Sequence, residues 1–99
     1  MLSGLTDRTF IWDDEKHKAN IRKHGISFDE ATTVFNDEKA VYFYDESNSQ
    51  DEDRFLIVGY SEFERILIVC HCYRLNDSQI RIVSARKATK TESKLYGGE

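Results

Sequence analysis

Apolar positions alternate at the start of the chain, switch to helical spacing, and then return to alternation for most of the remainder. In Arg8–Asp13, Phe10 and Trp12 alternate with Thr9 and Ile11, which predicts a short strand. Asp13 is placed to cap a helix running to about His24, with Asp14 and Glu15 in its first turn and Lys23 and His24 in its last. Gly25 supplies the left-handed exit. Only Ala19 and Ile21 are apolar in that helix, so it reads as a surface helix. Ser27-x-x-Glu30 has the spacing of a capping box, and Phe28, Ala31, Val34 and Phe35 form a narrow stripe. That stripe predicts a second helix, packed on a sheet and ending near Asn36 and Asp37.

Alternation then takes over. Ala40–Tyr44 and Arg54–Tyr60 read as strands, the latter interrupted by Gly59, and Asp45–Asp53 between them has no apolar residue and reads as an exposed loop. Arg65–Leu75 is the longest apolar run and is expected to be central. Asn76–Ser78 turns the chain into Gln79–Ala85, where regular alternation puts Ile80, Ile82 and Ser84 on one side and Arg81, Val83 and Ala85 on the other. Thr89-x-x-Glu92 opens a short last helix. The order β-α-α-β-β-β-β-α predicts an α+β fold: an antiparallel sheet of four or five strands, two N-terminal helices and a short C-terminal helix. The helices are expected to cover one face and leave the other partly wet. Residues 1–99 read as one domain, with Met1–Asp7 as a loose terminus.

Charge changes this picture. The net charge of −4 argues against uniform attraction to nucleic acid. The first 53 residues carry 6 Lys and Arg against 13 Asp and Glu, whereas residues 54–96 carry 8 against 4. Such a split predicts an acidic face suited to a basic partner and a basic face suited to phosphate, unless folding interleaves the charges. No stretch approaches the ~18 apolar residues that cross a bilayer, and the start lacks a secretory signal, so a cytoplasmic protein is expected. Cys70 and Cys72 share a face and read as buried thiols.

The polar residues embedded in strands are the candidate chemistry: Arg54, His71, Arg74, Arg81 and Arg86. Guanidiniums present a planar fork suited to phosphate oxygens. A histidine among them could move the protons of RNA cleavage without a metal, by activating a 2′-hydroxyl or protonating a 5′-oxygen. Against this, His71 shares a face with Leu67, Val69 and Tyr73, and Arg74 with Cys70 and Cys72, so a hydrogen-bonded core histidine is the competing reading. Which of Arg81 and Arg86 faces His71 depends on an undetermined register. His24 reads as structural and His17 as an incidental residue on an exposed helix face. Cys70-His71-Cys72 lacks the spacing that would complete a zinc site, and Asp45–Asp53 lacks that of a calcium loop, so neither metal nor cofactor is expected.

Taken together, Trp12-Asp13, Lys16, Asn20, Lys23 to Phe28, Ala31, Val34-Phe35, Asp37, Glu52, Arg54, Gly59, Ser61, Ile80 to Thr89, Glu92 and Tyr96 resemble the BrnT family of bacterial toxins. The resemblance implies a RelE-like fold, an endoribonuclease that arrests translation, and a BrnA-type basic antitoxin, with two toxins on an antitoxin dimer. Under it, Arg54, Arg81 and Arg86 are expected as phosphate-binding or transition-state groups. His71 is expected as the acid or base, with Tyr73 or Glu52 in reserve, and Arg74, Tyr73 and Lys87 as substrate-binding residues. The alternative is a degenerate toxin that binds its antitoxin and acts only as a co-repressor.

Overall fold

The structure, a computed structural model, describes residues 8–98; the expected loose terminus at Met1–Asp7 lies outside them. Strand β1 (Thr9–Ile11) leads into helices α1 (Asp14–His24) and α2 (Phe28–Thr33). Strands β2 (Val41–Tyr44), β3 (Phe55–Tyr60), β4 (Ile66–Arg74) and β5 (Gln79–Lys87) follow, then helix α3 (Lys90–Ser93). The class is α+β and the element order is the expected one. All five strands join one sheet in the order β1-β5-β4-β3-β2.

Strands β2 to β5 form the antiparallel meander, but β1 runs parallel to β5, so the sheet is mixed rather than antiparallel throughout. A tight turn forces its two strands antiparallel, and a helical connection does not. Because β1 is joined to β2 only through α1 and α2, which pack over β5, its direction is set by helix packing.

Ile26, Phe28, Ala31 and Val34 bring the helices onto Ile57, Leu67, Val69, Ile80, Ile82 and Ala85 of the sheet. This arrangement requires a break in the alternation of β5. Ile82 pairs with His71 and Ser84 with Cys70, which leaves Val83 as an extra residue in a β-bulge. Beyond the bulge every side chain changes face. Ala85 therefore joins Ile80 and Ile82 in the core, and Ser84 joins Arg81 and Arg86 on the other side, reversing the grouping expected from regular alternation.

Asn20 of α1 holds the bulged segment. Strand β1 pairs with β5 only as far as Arg81, so the outer edge of β5 beyond that point has no strand beside it. The Asn20 amide takes the strand's place: Nδ2 donates to the Ala85 carbonyl at 2.8 Å and Oδ1 accepts from the Ala85 N–H at 3.1 Å. Its second Nδ2 proton goes to the Ile26 carbonyl at 2.9 Å. A buried backbone group without a partner costs ~1–3 kcal/mol, and this one side chain satisfies three.

The capping signals are realised unequally. Asp13 accepts from the Lys16 N–H, and Gly25 closes α1 at φ 71°. Ser27 accepts from the Glu30 N–H, but Glu30 does not return the bond. Its carboxylate turns instead to the Ser61 hydroxyl at 2.6 Å and the Arg65 guanidinium at 2.8 and 2.7 Å. The full capping box forms at Thr89 and Glu92. His17 is not on an exposed face: its ring stacks on Phe28 at 4.9 Å and meets the Trp12 ring at 5.4 Å. Gly59 is a close-approach glycine, since a Cβ there would lie 2.9 Å from the Ala40 Cβ and 3.0 Å from Val34 Cγ1.

Candidate functional site

The sheet face turned away from α1 and α2 carries Leu56 and Val58 of β3, Ile68, Cys70, Cys72 and Arg74 of β4, and Arg81, Ser84 and Arg86 of β5, as the cross-strand register requires. Arg81 and Arg86 are five positions apart, an odd separation that would send them to opposite faces of a regular strand. The bulge at Val83 is what unites them. Arg54 joins them just before β3, its backbone N–H bonded to the Ser49 hydroxyl at 3.0 Å and its carbonyl to the Asp45 N–H at 2.9 Å.

The charged segment between β2 and β3 is not simply a solvated loop. It includes a 3-10 turn at Glu46–Asn48 and places two carboxylates on this face. Glu52 lies among three guanidiniums: Arg74 at 3.1 Å, Arg54 at 3.5 Å and Arg81 at 3.6 Å. One carboxylate is thus shared among three guanidiniums. The Nε of Arg54 is buried with no acceptor in the protein, leaving a donor unspent. Arg86 is held differently, its two terminal nitrogens each 2.8 Å from a carboxylate oxygen of Glu92. That fork and the cap bond from the Thr89 N–H hold the Glu92 carboxyl down at about 2.

Two cavities open on this side. One, of about 320 Å³, lies between Arg54 and Arg86, with Asp45, Asn48 and Ser84 on its walls and Leu56 and Ile68 among its apolar lining. The other, of about 440 Å³, adjoins Glu52 and is lined by Phe55, Cys72, Tyr73 and Asp77. Neither Asp45 nor Ser84 stood out in the sequence, because a lone Asp in an acidic run and a Ser in a strand carry no local signal.

His71 does not join this cluster. It projects toward the helices, fully buried, with its ring 4.9 Å from that of Phe35. Its Nδ1 lies 3.2 Å from the Val69 carbonyl, which can only accept, so Nδ1 carries the proton. Nε2 then accepts from the Tyr73 hydroxyl at 3.2 Å. The expected gathering of His71 with the arginines does not occur: strand parity turns it to the helix side, into a hydrophobic surround. Tyr73 is shared between the two environments, bonded to His71 yet lining the larger cavity, with Arg8 5.7 Å above its ring. Lys87 follows Arg86 on the alternate side of β5, exposed and opposite Leu67, away from the cluster.

Burial pushes the His71 imidazole down to about 4 from its ordinary 6.5. The unfolded chain is then the better proton acceptor, so the stabilisation is complete above 6.5 and is lost as pH falls toward 4. The expected loss over that window is on the order of 3 kcal/mol, at about 1.4 kcal/mol per pKa unit. Urea unfolding at a series of pH values, alongside the NMR titration of the His71 ring, measures it. A flat stability profile between pH 4 and 6.5 would contradict the assignment.

The family model described as the ribonuclease toxin BrnT of type II toxin–antitoxin systems matches residues 12–92. The chain belongs to the BrnT family. An antitoxin partner is implied for a BrnT chain by the type of system the family serves. A search of the curated proteins finds no match. Among solved structures, the crystal structure of the Brucella abortus ribonuclease toxin BrnT is similar, with a TM-score of 0.63 and 24% identity, covering 84% of this chain and 99% of that one. That likeness speaks for a common fold. The BrnT-like block from Ile80 to Thr89 contains the bulge, both β5 arginines and the Ala85 backbone that Asn20 holds, so it carries the geometry of the charged face.

Proposed function

We propose that this BrnT chain is a metal-independent endoribonuclease whose reaction centre is the Glu52–arginine cluster. The observation that carries the proposal is one carboxylate ringed by Arg54, Arg74 and Arg81 on a face that is not covered by α1 or α2. A scissile phosphodiester displaces part of the Glu52 contact and takes the guanidinium donors that Glu52 releases. Glu52 accepts the 2′-hydroxyl proton as the bond from the 2′-oxygen to phosphorus forms. The bond to the 5′-oxygen breaks, that oxygen takes a proton from water, and Glu52 returns its own proton to the hydroxide left behind. Charge on the non-bridging oxygens is met by Arg54 and Arg81, with Arg86 across the cavity and Arg74 at the margin. Tyr73, which lines the larger cavity, is assigned to RNA binding and has no part in bond cleavage; Lys87, on the other side of β5, is given no role at this centre.

Cleavage of cellular RNA would inhibit translation in the cytoplasm. A BrnA-like basic antitoxin would neutralise the toxin, carrying two copies on an antitoxin dimer. The test is cleavage of an oligoribonucleotide in excess chelator. The expected products end in a 2′,3′-cyclic phosphate, a 2′-deoxy substitution at the scissile position blocks the reaction, and Arg81→Ala lowers the rate about 10²–10³-fold. A requirement for a divalent ion, or cleavage of the deoxy substrate, would overturn the mechanism. The co-repressor alternative keeps one observation in its favour, the occupation of the Arg86 fork by Glu92. It predicts tight antitoxin binding with no cleavage and no growth arrest.

A further inference from the structure

The cavity between Arg54 and Arg86 has a feature that phosphate binding does not explain: an acidic wall. Asp45 is 7% exposed and, among the described residues, makes no ion pair. A buried carboxylate without a cation is costly unless hydrogen bonds hold it. Here Oδ1 accepts from the Ser47 hydroxyl at 3.1 Å, and Oδ2 from the Asn48 amide at 3.0 Å and the Cys70 thiol at 3.6 Å. A carboxylate has about four acceptor sites. One therefore remains on Oδ1, and the long thiol contact on Oδ2 is weak enough to yield to a stronger donor. The group is held in place and short of donors, at the side of a cavity of about 320 Å³. That volume lies at the small end of the ~300–1,000 Å³ typical of ligand pockets.

The remaining lining suits a flat heterocycle. Leu56, Ile68 and Val83 offer an apolar floor, and the Arg54 and Arg86 guanidiniums stand at the sides, where they can stack on a ring or meet a phosphate. We propose that this cavity is a nucleobase subsite that selects guanine, with the Asp45 carboxylate reading the base. Guanine presents two adjacent donors on one edge, the ring N1–H and the 2-amino group, which match both oxygens of a carboxylate. Adenine and cytosine each set one amino donor beside a ring acceptor, and uracil sets one N–H between two carbonyls. Each would turn an acceptor toward Asp45. The proposal deepens the nuclease reading by naming the base beside the scissile phosphate, and it rests on that reading for its biological meaning.

The experiment titrates the whole protein with GMP, IMP, AMP, CMP and UMP, following binding by calorimetry and by the amide resonances of Asp45, Cys70 and Ser84. GMP is expected to bind about 10- to 100-fold more tightly than AMP, CMP or UMP, the range of one good bidentate base contact. IMP, which lacks the 2-amino group, falls between them. Asp45→Asn removes the preference by exchanging one acceptor for a donor. Ser84→Phe, a change on the exposed side of β5, fills the cavity and abolishes binding of all five. Equal affinity for the five nucleotides, or a GMP preference that survives Asp45→Asn, overturns the proposal. The two readings fail separately. RNA cleavage with no base preference sinks the guanine subsite and leaves the nuclease. Selective GMP binding without cleavage sinks the nuclease and leaves the subsite.

Discussion

Glu52→Gln is expected to slow RNA cleavage by about 10²–10⁴-fold, the usual contribution of a positioned general base, and at the same time to tighten RNA binding. The two changes follow from one atom-level substitution. Glutamine keeps the shape and a carbonyl acceptor, so Arg54, Arg74 and Arg81 retain a partner between them. The base is gone, however, and so is the negative charge that an incoming phosphate must displace. Single-turnover cleavage gives the first quantity, and affinity for an oligonucleotide made inert by a 2′-deoxy linkage gives the second. If Glu52 were only a strut for the arginines, the rate would change little while binding tightened. An unimpaired rate would therefore remove Glu52 from the chemistry. Arg81→Ala shifts binding the other way, because it deletes a cation and leaves Glu52 with fewer partners. Opposite binding shifts with parallel rate losses are the signature that separates a base from its electrostatic frame.

How much of this was legible in the sequence varied with the range of the determinant. Capping signals are legible where neighbours within a turn decide them, as at the Asp13 cap, the Gly25 exit and the Thr89–Glu92 box, and misleading at Ser27, where Arg65 and Ser61 claim the Glu30 carboxylate. The meander from β2 to β5 was equally legible, since short turns dictate antiparallel pairing. Regular alternation along β4 separates His71 from Arg74 in sequence and structure alike, and a histidine near arginines in the chain points to a chemistry that its buried setting does not share with them. What could not be read was one inserted residue. The bulge at Val83 reverses the second half of β5 and thereby brings Arg86 to the side of Arg81. Asn20, which holds Ala85 just past the bulge, lies 65 residues before it in another element. Composition misled at residues 45–53, where an unbroken polar run reads as solvated chain. Two of its carboxylates fold onto the sheet because β4 and β5 present cations and donors there.

Arg65→Ala is the substitution expected to cost the fold most, about 3 kcal/mol, at the low end of the ~3–5 kcal/mol range for removing one partner from a buried pair. The low end applies because Arg65 is partly exposed, with 38% of its side-chain surface accessible, while Glu30 is 2% exposed. In the parent, the Arg65 guanidinium and the Ser61 hydroxyl outweigh burial and hold the Glu30 carboxyl below its usual range. That contribution is present above the ordinary carboxylate pKa of 4.5 and fades as acid protonates the folded group. Removing Arg65 leaves burial opposed by Ser61 alone, so the pKa of Glu30 rises above that of the unfolded chain. The sign of the linkage then inverts: the variant's deficit is largest near neutrality and shrinks as pH falls toward 5. Urea unfolding of parent and variant across this range resolves the inversion, and the double variant Glu30→Gln/Arg65→Ala should recover part of the loss at pH 7 by removing the stranded charge. A deficit independent of pH, with no recovery in the double variant, would mean that Arg65 acts through the packing of its methylene stem. Since Glu30 belongs to α2 and both Ser61 and Arg65 to the turn between β3 and β4, the pair fixes the helical layer to the hairpin that carries Arg54 and Arg74.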